Sequence, residues 1–167
     1  AHVIDAKDWR KARTQAERDG ARAAGKIPIL RDDYLNLSDM VTEAEVAIRR
    51  CPDLSGMTLA DGKAEQTLIW RHGETWCRQK MDWIADDRSL IIDYKTAGGS
   101  AEPSDWTRTN LVTNGNDLQG AFYRRGVKAE TGKEPAFVFL VQEIDPPYAC
   151  SFIGLPPAFL ALGEAKV

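Results

Sequence analysis

A four-residue turn, Asp86-Asp87-Arg88-Ser89, sits between two strand-like runs and dictates how they must pair. Glu74 to Ala85 precedes it, and Leu90 to Lys95 follows. If the turn is centred between Asp87 and Arg88, any even-length loop sets Ala85 opposite Leu90, and hence Asp82 opposite Asp93. Directly opposed residues have β-carbons about 5 Å apart. Asp93 and Lys95, two apart on one strand, share a face at about 7 Å. The other face of the hairpin carries Met81, Trp83, Leu90, Ile92 and Tyr94, an apolar surface whose packing fixes the register. The register in turn forces two carboxylates together beside an ammonium group. Opposed carboxylates repel unless a cation or a proton intervenes.

Around this hairpin the pattern is mixed. Asp5 to Ala24 reads as a polar, alanine-rich helix stopped by Gly25, and Asp32 to Arg50 as a second, with Leu37, Val41, Ala44 and Ile48 at helical spacing before Cys51-Pro52. Ala64 to Arg71 alternates loosely as a strand, and His72-Gly73 turns it into the Glu74 to Ala85 strand. Ala97 to Asn116, rich in Gly, Ser, Pro and Asn, reads as a loop. Asp117 to about Thr131 reads as a helix ended near Gly132. Ala136 to Glu143 is apolar enough for a central strand, Asp145-Pro146-Pro147 breaks it, Tyr148 to Gly154 is a more exposed strand, and Pro156-Pro157 opens a last helix. The order is helix, helix, three strands, helix, two strands, in a length of 167 residues that suits a single domain.

The hairpin residues have the chemistry of phosphodiester hydrolysis. Mg2+ prefers oxygen ligands in octahedral geometry and takes one or two protein carboxylates. Asp82 and Asp93 can supply these, with the main-chain carbonyl of Tyr94 as a third ligand. Lys95 beside them can orient an attacking water and stabilise developing charge. If His72-Gly73 is a two-residue loop, Glu65 lies opposite Lys80 on this face as a further ligand or base. An Asp-x-Lys at a strand end is by itself more often a solvated ion pair. The opposed Asp82 is what raises it above that. Gln119 and Tyr123, four apart on a helix, share a face.

Composition restrains the reading. A net charge of −3 gives no global attraction for nucleic acid, so DNA binding has to rest on a local basic surface. The apolar run Ala136 to Val141 is too short to cross a bilayer. Cys51, Cys77 and Cys150 lie far apart, odd in number and without zinc spacing, which suits free thiols in a reducing, cytoplasmic setting. No charged-then-apolar leader opens the sequence, and it starts in mid-pattern at Ala1, as a chain with a segment missing upstream would.

Taken together, these residues resemble the PD-(D/E)XK nuclease signature. More closely, Trp76-Cys77-Arg78 through Asp82, Ile92-Asp93-Tyr94-Lys95-Thr96 and Gln119-Gly120-Ala121-Phe122-Tyr123 resemble the exodeoxyribonuclease VIII (RecE-type) nuclease domain. Ala136 to Glu143 followed by Pro146-Pro147-Tyr148 is similar to the strand and loop after that motif in prophage members. The resemblance implies an α/β (α+β) restriction-endonuclease-like core, with a central mixed sheet flanked by helices. It implies Mg2+-dependent hydrolysis of duplex DNA, 5′-to-3′ from ends, in phage-type recombination, with Mn2+ as a substitute ion. Implied partners are duplex ends, a single-strand annealing protein and further copies of the chain; no membrane is involved. Gln119 and Tyr123 would support the site or touch substrate. Met81 replaces the proline of the signature. Neither His2 nor His72 fits the metal-ligating histidine that the pattern places upstream, so that residue lies before Ala1 or the ion is held less completely. A nuclease-like module that binds DNA or a protein without cutting, and a structure-specific endonuclease, are the alternatives; intact Asp82, Asp93 and Lys95 argue against the first. Trp76, Trp106 and Arg124-Arg125 can touch DNA, although Trp76 reads rather as packing.

Overall fold

A computed structural model of the chain describes residues 1–54 and 56–167. The chain divides into two compact units, Ala1–Glu43 and Ala44–Val167.

In the first unit, strands β1 (His2–Ile4) and β2 (Pro28–Leu30) pair in parallel, joined through helix α1 (Ala12–Ala23). Ile4, Ala21, Leu30 and Met40 are buried there. Helix α2 (Arg31–Arg50) begins directly after β2. The helix expected from Asp5 starts only at Ala12. Before it, Asp8 Oδ1 accepts the Arg10 N–H at 2.9 Å and Gln15 Nε2 donates to the Trp9 carbonyl at 2.9 Å. Such side-chain bonds offer the backbone an alternative to helix. The two strands, three residues each, are too short to carry a period-2 signal.

The second unit is built on five strands: β3 (Gly62–His72), β4 (Thr75–Ala85), β5 (Leu90–Ala97), β6 (Ala136–Glu143) and β7 (Cys150–Gly154), side by side in that order. Only the β5–β6 pair is parallel. A parallel pair needs a long crossover, and helices α3 (Pro103–Asn110) and α4 (Asn116–Thr131) lie in it. Helix α5 (Pro157–Lys166) follows β7. This is the mixed sheet flanked by helices that the sequence led us to expect.

Alternation along the strands gives the sheet two apolar faces. One gathers Ile84, Ile91, Phe139 and Val141 with Trp106 of α3 and Val127 of α4. The other gathers Trp83, Leu90, Ile92 and Leu140 with Ile48 of α2 and Leu54. The loop expected over 97–116 contains α3. Its start is fixed by the Glu102 carboxylate, which accepts the N–H groups of Ser104 (2.9 Å) and Asp105 (3.1 Å), and by Pro103 in the first turn. Trp106, a candidate for touching DNA, is instead buried, its ring 5.3 Å from that of Phe139. The basic pair is also committed to packing: Arg124 donates to the Pro135 carbonyl (2.9 Å), and Arg125 is held by Glu164 of α5. Trp76, expected to pack, is 70% exposed.

Candidate active site

The hairpin register is the one the turn dictates. Trp83 faces Ile92 and Ile84 faces Ile91, and the paired ladder ends there, one step short of Asp82 and Asp93, whose opposition follows only by extending that register. The expected apolar face does not run straight, however. Trp83, Leu90 and Ile92 share one core, but Met81 belongs to the other, together with Ile84. Strict alternation would separate Met81 from Ile84, so β4 changes facing at Asp82. Tyr94 is partly exposed and its hydroxyl donates to Gln142 Oε1 at 2.7 Å.

The neighbouring strand is irregular at the same level. Ala64 faces Trp83 and Gln66 faces Met81, which puts Glu65 at the position opposite Asp82, yet Glu65 makes no ladder pair and has φ 56°. A left-handed non-glycine residue inside a strand costs on the order of 1–3 kcal/mol, and such strain collects at functional sites. The tight turn lies at Gly73-Glu74, with His72 facing Thr75, so Thr67 and not Glu65 stands opposite Lys80. Glu65 reaches Lys80 through its side chain instead, as an exposed ion pair.

Around Asp93 the polar groups form one network, with Asp82 beside it. Asp93 is buried, with 1% of its surface exposed. Its Oδ2 lies 2.6 Å from Lys95 Nζ but accepts no well-directed hydrogen bond, and its Oδ1 accepts from Gln119 Nε2 at 2.8 Å. Lys95 Nζ also donates to Gln119 Oε1 at 2.9 Å and sits 5.7 Å from the centre of the Phe139 ring. One glutamine side chain of α4 therefore holds both members of the Asp-x-Lys pair. Tyr123, one helical turn on, takes a 3.3 Å bond from Gln119 Nε2 and donates its hydroxyl to the Lys80 carbonyl at 2.8 Å. Asp82 Oδ2 accepts the Tyr94 N–H at 2.9 Å.

Electrostatically the carboxylates are under-compensated. Burial pushes the Asp93 carboxyl up; the adjacent Lys95 ammonium opposes this, and Asp82 adds to it by repulsion. Lys95 balances one of the two acids, leaving a surplus negative charge. An under-bonded buried carboxylate oxygen, with a second carboxylate close enough to be felt, is a setting that a small hard cation relieves. Among the described residues no cluster of three or more His, Cys, Asp or Glu side chains is placed to hold a metal. His2 pairs with Glu17 and His72 packs edge-on against Trp70.

Sequence reading missed Gln79. It is buried in β4, accepts from Trp70 Nε1 (3.2 Å) and donates to the Tyr123 carbonyl (3.0 Å), tying the hairpin to α4. A polar residue between Cys77 and Met81 on the apolar side of a strand was the available signal.

In the solved structures, the fold recurs in a protein described as "Putative exonuclease" from Eubacterium rectale, with TM-score 0.63 and 13% identity over 92% of this chain and 56% of that one. The chain thus spans little more than half of that protein's length. A second structure, SSO0001, aligns at TM-score 0.37 with 15% identity, over 80% of this chain and 56% of that one. No curated protein matches the sequence. The family profile described as "PDDEXK-like domain of unknown function (DUF3799)" matches residues 11–167, and the chain belongs to that family.

Proposed function

We propose that the chain is a divalent-metal-dependent deoxyribonuclease that hydrolyses phosphodiester bonds of duplex DNA. The observation that carries this is the hydrogen-bonded and ion-paired network of Asp93 and Lys95 on β5 with Gln119 on α4, beside Asp82 of β4, whose carboxylate accepts the Tyr94 N–H. Asp82 and Asp93, with the Tyr94 carbonyl, are the residues that would hold Mg2+ or Mn2+. A bound ion supplies positive charge at the phosphoryl oxygens and acidifies water.

The remaining roles belong to the chain itself. Lys95 is more accessible than its partner, its side chain 27% exposed against 2% for Asp93. Its ammonium can orient the attacking water and meet the charge that builds on the phosphate. Gln119 keeps Lys95 and Asp93 at a fixed separation, and Tyr123, anchored on Lys80, fixes Gln119. Glu65, bound to Lys80, can act as a further ligand or base only after leaving that ion pair. The sequence resemblance and the exonuclease description of the Eubacterium rectale structure support attack from ends. Within the same proposal fall a 5′-to-3′ direction, a recombination role beside a single-strand annealing protein, and self-association.

End-labelled duplex DNA with Mg2+ tests this, comparing the wild type with Asp93→Ala and Lys95→Ala. Shortening from the labelled 5′ end by the wild type alone, with both variants folded, is the expected result. Equal digestion by all three would place the chemistry elsewhere.

A further inference from the structure

The β3–β4 hairpin carries a second surface that the cluster above does not use. Leu68, Trp70, Gln79 and Met81 turn toward α4. Alternation sends Thr67, Ile69 and Arg71 of β3 and Trp76, Arg78 and Lys80 of β4 to the other side, and all six are exposed. The register places them in cross-strand pairs: Thr67 with Lys80, Ile69 with Arg78, Arg71 with Trp76. Ile69 is 62% exposed. The Arg71 guanidinium lies 5.9 Å from the centre of the Trp76 ring, and most of the indole's surface stays open to solvent.

Three cations are concentrated on this face of a chain whose net charge is −3. Among the described residues Arg71 and Arg78 form no ion pair with an acid, and Lys80 is paired with Glu65. The sheet ends at β3, and β4 pairs with β5 only at Trp83 and Ile84, so this part of the hairpin is a two-stranded arm covered by α4 on one face and open on the other. Lys80, Arg78 and Trp76 follow one another at about 7 Å intervals along β4, beginning two residues from Asp82.

We infer that this arm is a docking track for a single nucleic-acid strand, with phosphates on Arg71, Arg78 and Lys80 and a base stacked on Trp76. This deepens the nuclease reading and rests on it for the identity of the polymer. Arg71 and Arg78, without an acidic partner among the described residues, match a polyanion, as does Lys80 once a phosphate displaces Glu65 from it. An exposed indole matches the open face of an unpaired base, completing the combination by which single strands are bound without sequence preference. The interior of a duplex presents no base face to stack, so the track favours single strands or frayed ends.

The test is fluorescence anisotropy of a labelled 20-nucleotide single strand and of its blunt duplex, with EDTA present so that nothing is cut. Wild type, Trp76→Ala, Trp76→Phe and the double variant Arg71→Glu/Arg78→Glu are compared, with circular dichroism confirming folding. Trp76→Ala should weaken single-strand binding roughly five- to a hundredfold, Trp76→Phe should restore most of it, and the duplex should respond less. The charge variant should flatten the log–log salt slope by about 0.7 for each phosphate it no longer neutralises. Equal affinity and equal salt slope in all four proteins would overturn the track. So would failure of the wild type to bind the single strand at micromolar concentration, which would point to a protein as the occupant of this face. Arm-dependent binding by a chain that cuts nothing would sink the nuclease reading and leave the track standing. Cutting with arm-independent binding would do the reverse.

Discussion

Asp93 has less compensation than a buried carboxylate needs: Lys95 supplies one cation, Gln119 one donor, and one oxygen accepts no directed bond. Because burial raises its folded pKa, the native state binds this proton more tightly than the unfolded chain does. Stability from this group is therefore fullest in acid and falls as pH rises from the ordinary aspartate value through the raised one. Without metal, Asp93→Asn should lose this pH dependence, and its unfolding midpoint relative to wild type should rise across that window when both are melted from acid to neutral pH. Equal pH profiles would contradict the burial argument. Gln119 acts through its neighbours, as an outer partner of a metal site does. Gln119→Ala should therefore lower cleavage about 10- to 100-fold, with loss of ion affinity as the readout that a purely structural role would not give.

At the scale of elements, α4 approaches β3 and β4 so closely that Gly126 has no room for a side chain. A β-carbon there would lie 2.2 Å from Gln79 Oε1 and 2.5 Å from Trp70 Nε1. Gly126→Ala must displace the buried Trp70–Gln79 bond. Overpacking and the broken bond together should cost about 2–4 kcal/mol, measured as a lower urea midpoint at unchanged slope. Gln119 and Tyr123 ride on this helix, so activity should fall further than stability. Trp106→Ala, which empties a core position on α3, should cost about 3–5 kcal/mol by the same measurement.

These elements also show what the sequence could disclose. The β4–β5 register was legible because a short polar turn between apolar strands leaves few pairings. Gln119 and Tyr123 were legible as one face because helical spacing is local. The facing change at Asp82 was not, since it arises from β3 and β4 together and places a left-handed Glu65 where no glycine announces it. Helix α3 was hidden by residues typical of loops, although Glu102-Pro103 carried a helix start. Trp76 and Trp106 exchanged roles because exposure is decided by tertiary neighbours and not by residue type.

For the whole molecule, surplus negative charge at the cluster links ion binding to stability. If Asp82 and Asp93 share a divalent ion, Mg2+ at 100 times its dissociation constant should add about 2.7 kcal/mol to unfolding. No helix of the described residues is long and apolar enough to cross a membrane. Titration calorimetry of Mg2+ into metal-free protein, for wild type, Asp82→Asn and Asp93→Asn, reaches the core of the account. Saturable binding by the wild type, weakened at least tenfold in each variant while both remain folded, is the predicted result. Wild-type affinity in both variants would contradict a site held by those two carboxylates.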